Sequence, residues 1–289
     1  MLLFEVVLNG LILGGMYGLV ALGLNLQFGI ARTMNLAYGE FIMGGAFAAF
    51  WTLTLWKLDP LLGLIAAIPV SFVANWLVYR IFLLPLIRRA PDQDALDAEI
   101  ILVTFGLLFV FQGSALAGWG GEYHSYSYLA KPVHILGAEV ALNRLLAFLA
   151  ACVLALALFL TMRLTRAGSA MRAISIDPIA ARLVGIDVYK LSGLAFALGG
   201  AMAAISGTFI STFISFNASI GVVYTLKALI VVIMGGVGRM MGCLVAGLLL
   251  GLCESVGGYL VDPGLTLAIN FGLFVIVLLI RPTGLFARG

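Results

Sequence analysis

Long apolar runs dominate the chain, and polar residues fall mainly in the short gaps between them. A helix that crosses a bilayer needs about 20 mostly apolar residues. Runs of that kind occupy 4–29, 36–56, 61–84, 99–118, 143–162, 192–212, 223–238, 241–260 and 264–280. The pattern predicts an all-α integral membrane protein, a polytopic bundle of eight or nine transmembrane helices that forms one domain over residues 1–289. The seventh run is short and ends in Met234-Gly235-Gly236-Val237-Gly238, which reads as a broken or re-entrant piece and leaves the count at eight or nine. No gap is long enough for a soluble domain. The first run begins without a basic n-region or a small-residue cleavage site, so it reads as a retained helix.

Composition agrees. Hydrophobic residues make up 63% of the chain and charged residues 10%, against about 25% charged in an ordinary soluble domain. So few charges cannot cover a water-facing surface, and the lipid bilayer is the expected surrounding. The net charge of +3 is small and scattered, and no nucleic-acid partner is expected. Cys152, Cys243 and Cys253 sit inside apolar runs without CxxC spacing and read as small hydrophobes. His124 and His134 stand alone in one polar loop, so no metal site is expected.

The distribution of positive charge sets the orientation. Arg163, Arg166, Arg172, Arg182 and Lys190 crowd the 163–191 loop, which the positive-inside rule places in the cytoplasm. Counting outward, Arg32, Arg88, Arg89, Arg239, Arg281 and Arg288 fall on the same side. Lys57, Lys131, Arg144 and Lys227 remain for the other. Nine spans, with the N-terminus outside and the C-terminus cytoplasmic, satisfy this bias. The external loop at 119–142 carries Tyr123, Tyr126 and Tyr128, which suit interfacial anchoring or docking of an external partner.

Small residues recur every fourth position: Gly10, Gly14 and Gly18 on the first run, Gly199, Ala203 and Gly207 on the sixth, and Gly247 and Gly251 on the eighth. Such stripes let helix backbones touch, either inside the bundle or at a seam between two chains. Gly29 to Asn35 weakly echoes Gly236 to Gly242, as internal repeats of transporters do.

Candidate chemistry is sparse. There is no G-x-S-x-G, no H-E-x-x-H and no G-x-x-x-x-G-K-[ST], so the chain reads as non-enzymatic, with no catalytic residue or cofactor, and any ATP must be handled by another chain. Asn9, Asn25, Gln27, Asn75, Gln112 and Asn270 are the uncharged polar residues within the runs. Glu40 and Glu254 lie deep, where a carboxylate must face the bundle interior, a cavity or a partner helix; Glu254 and Lys227 are candidates for an interhelical pair. The basic inner loop holds Asp177-Pro178, a helix-start signal, then a short helix over Ile179 to Val184 with Gly185 as its natural C-cap. It suits docking of a soluble partner, or lying on lipid headgroups.

Here a resemblance emerges. Asp177, Ala180, Ala181, Gly185 and Ile186 fit D-x-x-A-A-x-x-x-G-I, a form of the E-A-A-x-x-x-G coupling loop of ABC importer permeases in which Ile179 takes the usual glutamate position. Asn35-Leu36-Ala37-Tyr38-Gly39-Glu40 resembles the N-x-A-x-G-[ED] segment, Leu194 to Gly207 the helix after the coupling loop, and Arg281-Pro282-Thr283-Gly284-Leu285-Phe286 the R-P-x-G-L-F tail, of branched-chain amino acid permeases of the LivH type. The resemblance covers nearly the whole chain. It implies a multi-pass permease of the bacterial inner membrane, partnered by a second permease chain (a paralogue or itself), two cytoplasmic ABC ATPase subunits and a periplasmic substrate-binding protein. Arg172, Asp177, Ala180, Ala181, Gly185 and Ile186 would then couple to the ATPases. The translocation path is expected near Asn35, Glu40, Gln112 and Glu254. Branched-chain amino acids are the implied substrate, with urea or short amides as alternatives. An ion-coupled secondary transporter or channel is the competing class, with Glu40 and Glu254 as proton carriers, and a membrane enzyme is a distant third.

Overall fold

A computed structural model describes residues 2–90, 92–135, 138–282 and 284–286; Arg288, and Thr283 within the tail motif, lie outside them. In chain order the helices are α1 (Leu2–Gly29), α2 (Tyr38–Thr54), α3 (Gly63–Val78), α4 (Leu84–Arg89) and α5 (Gln93–Trp119). A two-stranded antiparallel hairpin, β1 (Pro132–Ile135) and β2 (Ala138–Ala141), follows. Then come α6 (Leu142–Leu164), α7 (Arg166–Ile176), α8 (Pro178–Leu183), α9 (Val188–Ile210), α10 (Ile220–Gly235), α11 (Met240–Leu260) and α12 (Thr266–Ile280).

Every apolar run of the sequence contains a helix. Among the described residues, six are long and apolar enough to cross a membrane: Leu3–Gly29, Pro60–Arg89, Gln93–Trp119, Leu142–Leu164, Val188–Ile210 and Met240–Leu260. The second of these includes α3 and α4, joined through a π turn at Tyr79–Leu83. Pro85, just beyond it, has no N–H for the regular ladder and its ring crowds the preceding turn. The all-α expectation needs one addition, the hairpin in the loop between α5 and α6, where Val133 faces Val140. Its strands are too short to leave an alternation readable in the sequence.

The bundle has a protein-facing centre and a lipid-facing rim. In α9, 83% of the most apolar window is buried, against 22% in α5 and α6, so α9 sits in the middle and the last two expose side chains such as Leu102 and Val153. Lipid tails are as apolar as leucine, so helices here associate through close packing of small residues. The glycine stripes do this within the chain. A Cβ on Gly14 would stand 2.6 Å from the Leu248 Cα, and one on Gly10 3.0 Å from the Leu252 Cα, so α1 and α11 lie antiparallel with backbones touching. Gly199 meets Gly23 and Gln27 of α1, and Gly207 meets the backbone of Ile42.

Between α1 and α2 the chain does something that hydropathy did not reveal. Residues 31–37 are not helical, yet Ala31, Thr33, Asn35 and Ala37 are buried. The Tyr38 hydroxyl at the start of α2 donates to the carbonyl of Val20 (2.7 Å), roughly 14 Å short of the end of α1 at 1.5 Å rise per residue. The segment therefore runs back beside α1, and α2 begins partway along it. Non-helical backbone is tolerated at such depth only inside protein, with its polar groups satisfied. Here the Thr33 N–H bonds the Gln27 carbonyl (3.3 Å), the Ala37 N–H the Asn35 Oδ1 (3.0 Å), and the Met34 carbonyl the Thr104 hydroxyl (3.3 Å). The seventh run, where a break was expected, holds α10, which stops at Gly235; Gly236 (φ 93°) and Gly238 (φ 80°) make the turn into α11.

Candidate functional site

Two groups of residues carry chemistry, one inside the bundle and one at its end.

The inner group is built on the buried segment. Asn35 Nδ2 donates to Gln27 Oε1 (2.9 Å), and Gln27 Nε2 donates to Asn75 Oδ1 (3.2 Å) and the Phe196 carbonyl (2.9 Å). Asn75 Nδ2 reaches the Ser71 carbonyl (2.9 Å), and the Ser71 hydroxyl the Gly200 carbonyl (2.7 Å). One amide chain thus ties α1, α3, α9 and the segment together, which satisfies polar groups that would cost dearly if left bare in the bilayer. Five residues on, Glu40 sits in the first turn of α2 with 4% of its surface exposed. The neighbouring Gly39 N–H bonds the Thr225 hydroxyl (2.8 Å), and the Glu40 carboxylate lies against Gly221 at the start of α10. Among the described residues neither Glu40 oxygen has a hydrogen-bond partner.

Glu254 is in a different situation. Lys227 Nζ donates to Glu254 Oε1 (2.8 Å) and Oε2 (2.9 Å) and to the Tyr17 hydroxyl (2.7 Å). Tyr17 donates to Oε1 (3.1 Å) and Asn270 Nδ2 to Oε2 (2.7 Å). The Lys227 ammonium also lies 4.5 Å from the centre of the Tyr17 ring. The interhelical pair that the sequence allowed is made, with donors from α1, α10 and α12 around one carboxylate of α11. Gln112, half-buried on α5, belongs to neither network. Among the described residues no hydrogen bond joins any two of the four path candidates: Asn35 belongs to the amide chain, Glu40 lies against Gly221, and Glu254 is paired with Lys227. Gln27, Asn75, Tyr17 and Asn270 join the buried networks unannounced by any motif, because their partners lie on distant helices.

The outer group is the α7–α8 loop. Asp177 caps α8 by accepting from the Ile179 N–H (2.8 Å) and the Ala180 N–H (3.1 Å), with Pro178 as the first helical residue. At the other end Gly185 adopts φ 82°. Its N–H bonds the Arg182 carbonyl (3.0 Å) and the Ile186 N–H bonds the Ala181 carbonyl (3.1 Å), the paired bonds of a Schellman cap. Ala181 and Ile186 turn inward onto the bundle, while Ile179, Leu183 and Val184 point into solvent, Leu183 with 84% of its surface exposed. Arg182 stacks on the Tyr189 ring (4.6 Å) with Arg88 on the same ring (5.1 Å). Arg172, one turn before the end of α7, donates to the Ser169 hydroxyl (3.2 Å) and is separate from the α8 surface. α8 is thus a capped helix only six residues long whose Ile179 and Leu183 side chains are exposed.

Comparison with known proteins supplies the context. The sequence profile of the family described as branched-chain amino acid transport system / permease component matches residues 6–278. The high-affinity branched-chain amino acid transport system permease protein LivH of Escherichia coli (strain K12) is 30% identical, over 97% of this chain and 94% of that protein. The corresponding permease protein BraD of Pseudomonas aeruginosa is 28% identical over the same shares. A permease protein of the same transport system, LivM of Salmonella typhimurium, is 24% identical over 93% of this chain and 67% of its own length. Among solved structures, PsaBC from Streptococcus pneumoniae in complex with Fab shares 13% identity, covering 96% of this chain and 92% of that one, at a TM-score of 0.49, too slight a likeness to argue from. With the family profile spanning nearly the whole helical bundle, this chain is a multi-pass membrane protein that belongs to the branched-chain amino acid transport system permease family.

Proposed function

We propose that the chain is a pore-forming subunit of an ATP-driven ABC importer in a bacterial inner membrane, and that it translocates branched-chain amino acids delivered by a periplasmic binding protein. Family membership over residues 6–278 carries this reading. Residues 1–289 form one permease domain with nine crossings, the N-terminus outside and the C-terminus in the cytoplasm, so that α8 and the arginines of α7 and α8 meet the cytoplasmic side. A second permease chain completes the pore, and two ABC ATPase subunits supply the energy.

In this machine α8 is the coupling helix. Asp177, Ala180, Ala181, Gly185 and Ile186 hold its shape, and Ile179, Leu183 and Val184 face the ATPase; Arg172 supports the loop from α7. The path runs past Asn35 and Glu40. An amino acid in transit carries an ammonium group, and Glu40 is a buried carboxylate with neither oxygen hydrogen-bonded among the described residues. Gln112 would line the path from α5, while Glu254, held by Lys227, would shape it from the side. Urea and short amides carry no cation and would leave Glu40 without a task.

The test is co-purification of the tagged permease with candidate ATPases. Leu183→Asp puts a charge on the exposed face without touching the buried side of α8. The wild type should retain the ATPase and the variant should lose it while melting at the same temperature. Retention by both would remove α8 from the contact. Ala181→Asp is a poorer probe, because Ala181 is buried and the variant would damage the helix itself.

A further inference from the structure

At the end of the bundle that carries α8, the ends of α1, α6 and α7 and the turn into α11 enclose a cavity of about 700 Å³. Its floor is apolar, formed by Leu26, Ile30, Phe159, Met162, Met240 and Phe286. Its rim carries three guanidinium groups, Arg163, Arg172 and Arg239, and no carboxylate of the described residues lines it. A second cavity shares Arg172, Gly238 and Arg239 with the first and adds Arg32 and the carboxylate of Asp97, which makes no ion pair with these arginines among the described residues.

The arginines are not spoken for. Ion pairs among the described residues are Lys190–Asp187 and Lys227–Glu254, and His134 lies 3.5 Å from Glu139; none of these involves this rim. Arg163 lies 5.8 Å from the centre of its own helix's Phe159 ring, Arg172 bonds the Ser169 hydroxyl (3.2 Å), and Arg32 bonds the carbonyls of Ser175 (3.3 Å) and Ile176 (3.2 Å). Like charges gathered without a counter-ion repel one another and raise the local affinity for anions. Planar guanidinium groups match the oxygens of a phosphate. A free phosphate would satisfy the rim but leave the apolar floor bare.

We propose that this cavity holds an anionic phospholipid of the cytoplasmic leaflet, its phosphate among Arg163, Arg172 and Arg239 and the upper part of its acyl chains over Leu26, Ile30, Phe159 and Met162. Basic pockets between membrane helices on the cytoplasmic side recognise anionic headgroups in this way. The proposal takes from the function argued above only the placement of this end at the cytoplasmic face. It applies to the permease with or without its ATPases.

The full chain, purified in mild detergent, is mixed with phosphatidylglycerol or phosphatidylcholine and examined by native mass spectrometry. Phosphatidylglycerol should be retained in preference to phosphatidylcholine. Arg163→Gln/Arg239→Gln should lower its retention about 30-fold, at about 1 kcal/mol for each arginine near an anionic lipid. Arg144→Gln, at the other end of the bundle, should not. Equal retention of the two lipids by the wild type would overturn the proposal even if the double variant fails to fold. So would a double variant that binds as the wild type does. If inorganic phosphate protects the chain from heat as well as phosphatidylglycerol does, the ligand is a soluble anion and the lipid assignment is wrong.

Discussion

Lys227 and Glu254 neutralise each other inside the bundle, with Tyr17 and Asn270 completing the shell. Both side chains are largely buried, so removing one leaves the other charged and bare. Lys227→Met should lower the stability of the folded bundle by about 3–5 kcal/mol, and Lys227→Met/Glu254→Gln should restore part of it. Thermal melting in detergent reads both. A melt unchanged by Lys227→Met would mean that the pair is open to water. Glu40 behaves oppositely, because it has no partner to lose. Glu40→Gln should leave the melting temperature close to that of the wild type and reduce leucine uptake at least tenfold; full uptake would remove Glu40 from the path. The sequence marked Glu40, Glu254 and Lys227 because ionisable residues inside apolar runs stand out. It could not separate them, since pairing depends on α10 and α11 lying side by side. Asp177 and Gly185 were legible to the atom, because a cap is made by neighbours in sequence.

At the scale of elements, the glycine stripes were read correctly as close-packing faces, and geometry decided between the two uses considered. Those of α1 and α11 face each other within one chain. Even a methyl group at Gly14 would press on the backbone of Leu248, and overpacking of this kind costs about 1–3 kcal/mol. Gly14→Ala should therefore melt earlier than the wild type. Gly106→Ala, on α5 where a Cβ would meet nothing within 4 Å, should melt at the same temperature or slightly higher, because glycine weakens a helix interior by about 0.5–1 kcal/mol. Equal melts for the two variants would contradict the α1–α11 contact. The buried stretch at 31–37 was the element that hydropathy concealed. Leu36 and Ala37 are apolar enough to merge with the helix that follows, and an average over a window cannot tell an extended buried strand of chain from a turn of helix. The hairpin escaped for a related reason, each strand being four residues long.

For the whole molecule, the apolar runs located the helices, and the capped loop is the basis for proposing a motor on another chain. The order of burial, with α9 in the middle and α5 and α6 outside, came only from the structure, because every run is apolar all round and the small-residue stripes mark packing faces without ranking the helices by burial. The described residues combine an amide-tied, close-packed bundle, in which the buried Glu40 carboxylate has no hydrogen-bond partner, with a short exposed helix at its end. The two competing classes differ in their source of energy. Proteoliposomes containing this chain, its second permease and the ATPases, with substrate-loaded binding protein on the opposite face, measure that source directly. Labelled leucine should accumulate only when ATP is supplied on the ATPase side, and accumulation should persist after proton and sodium gradients are collapsed. Accumulation by the permease alone under an imposed ion gradient, without ATP, would contradict the account.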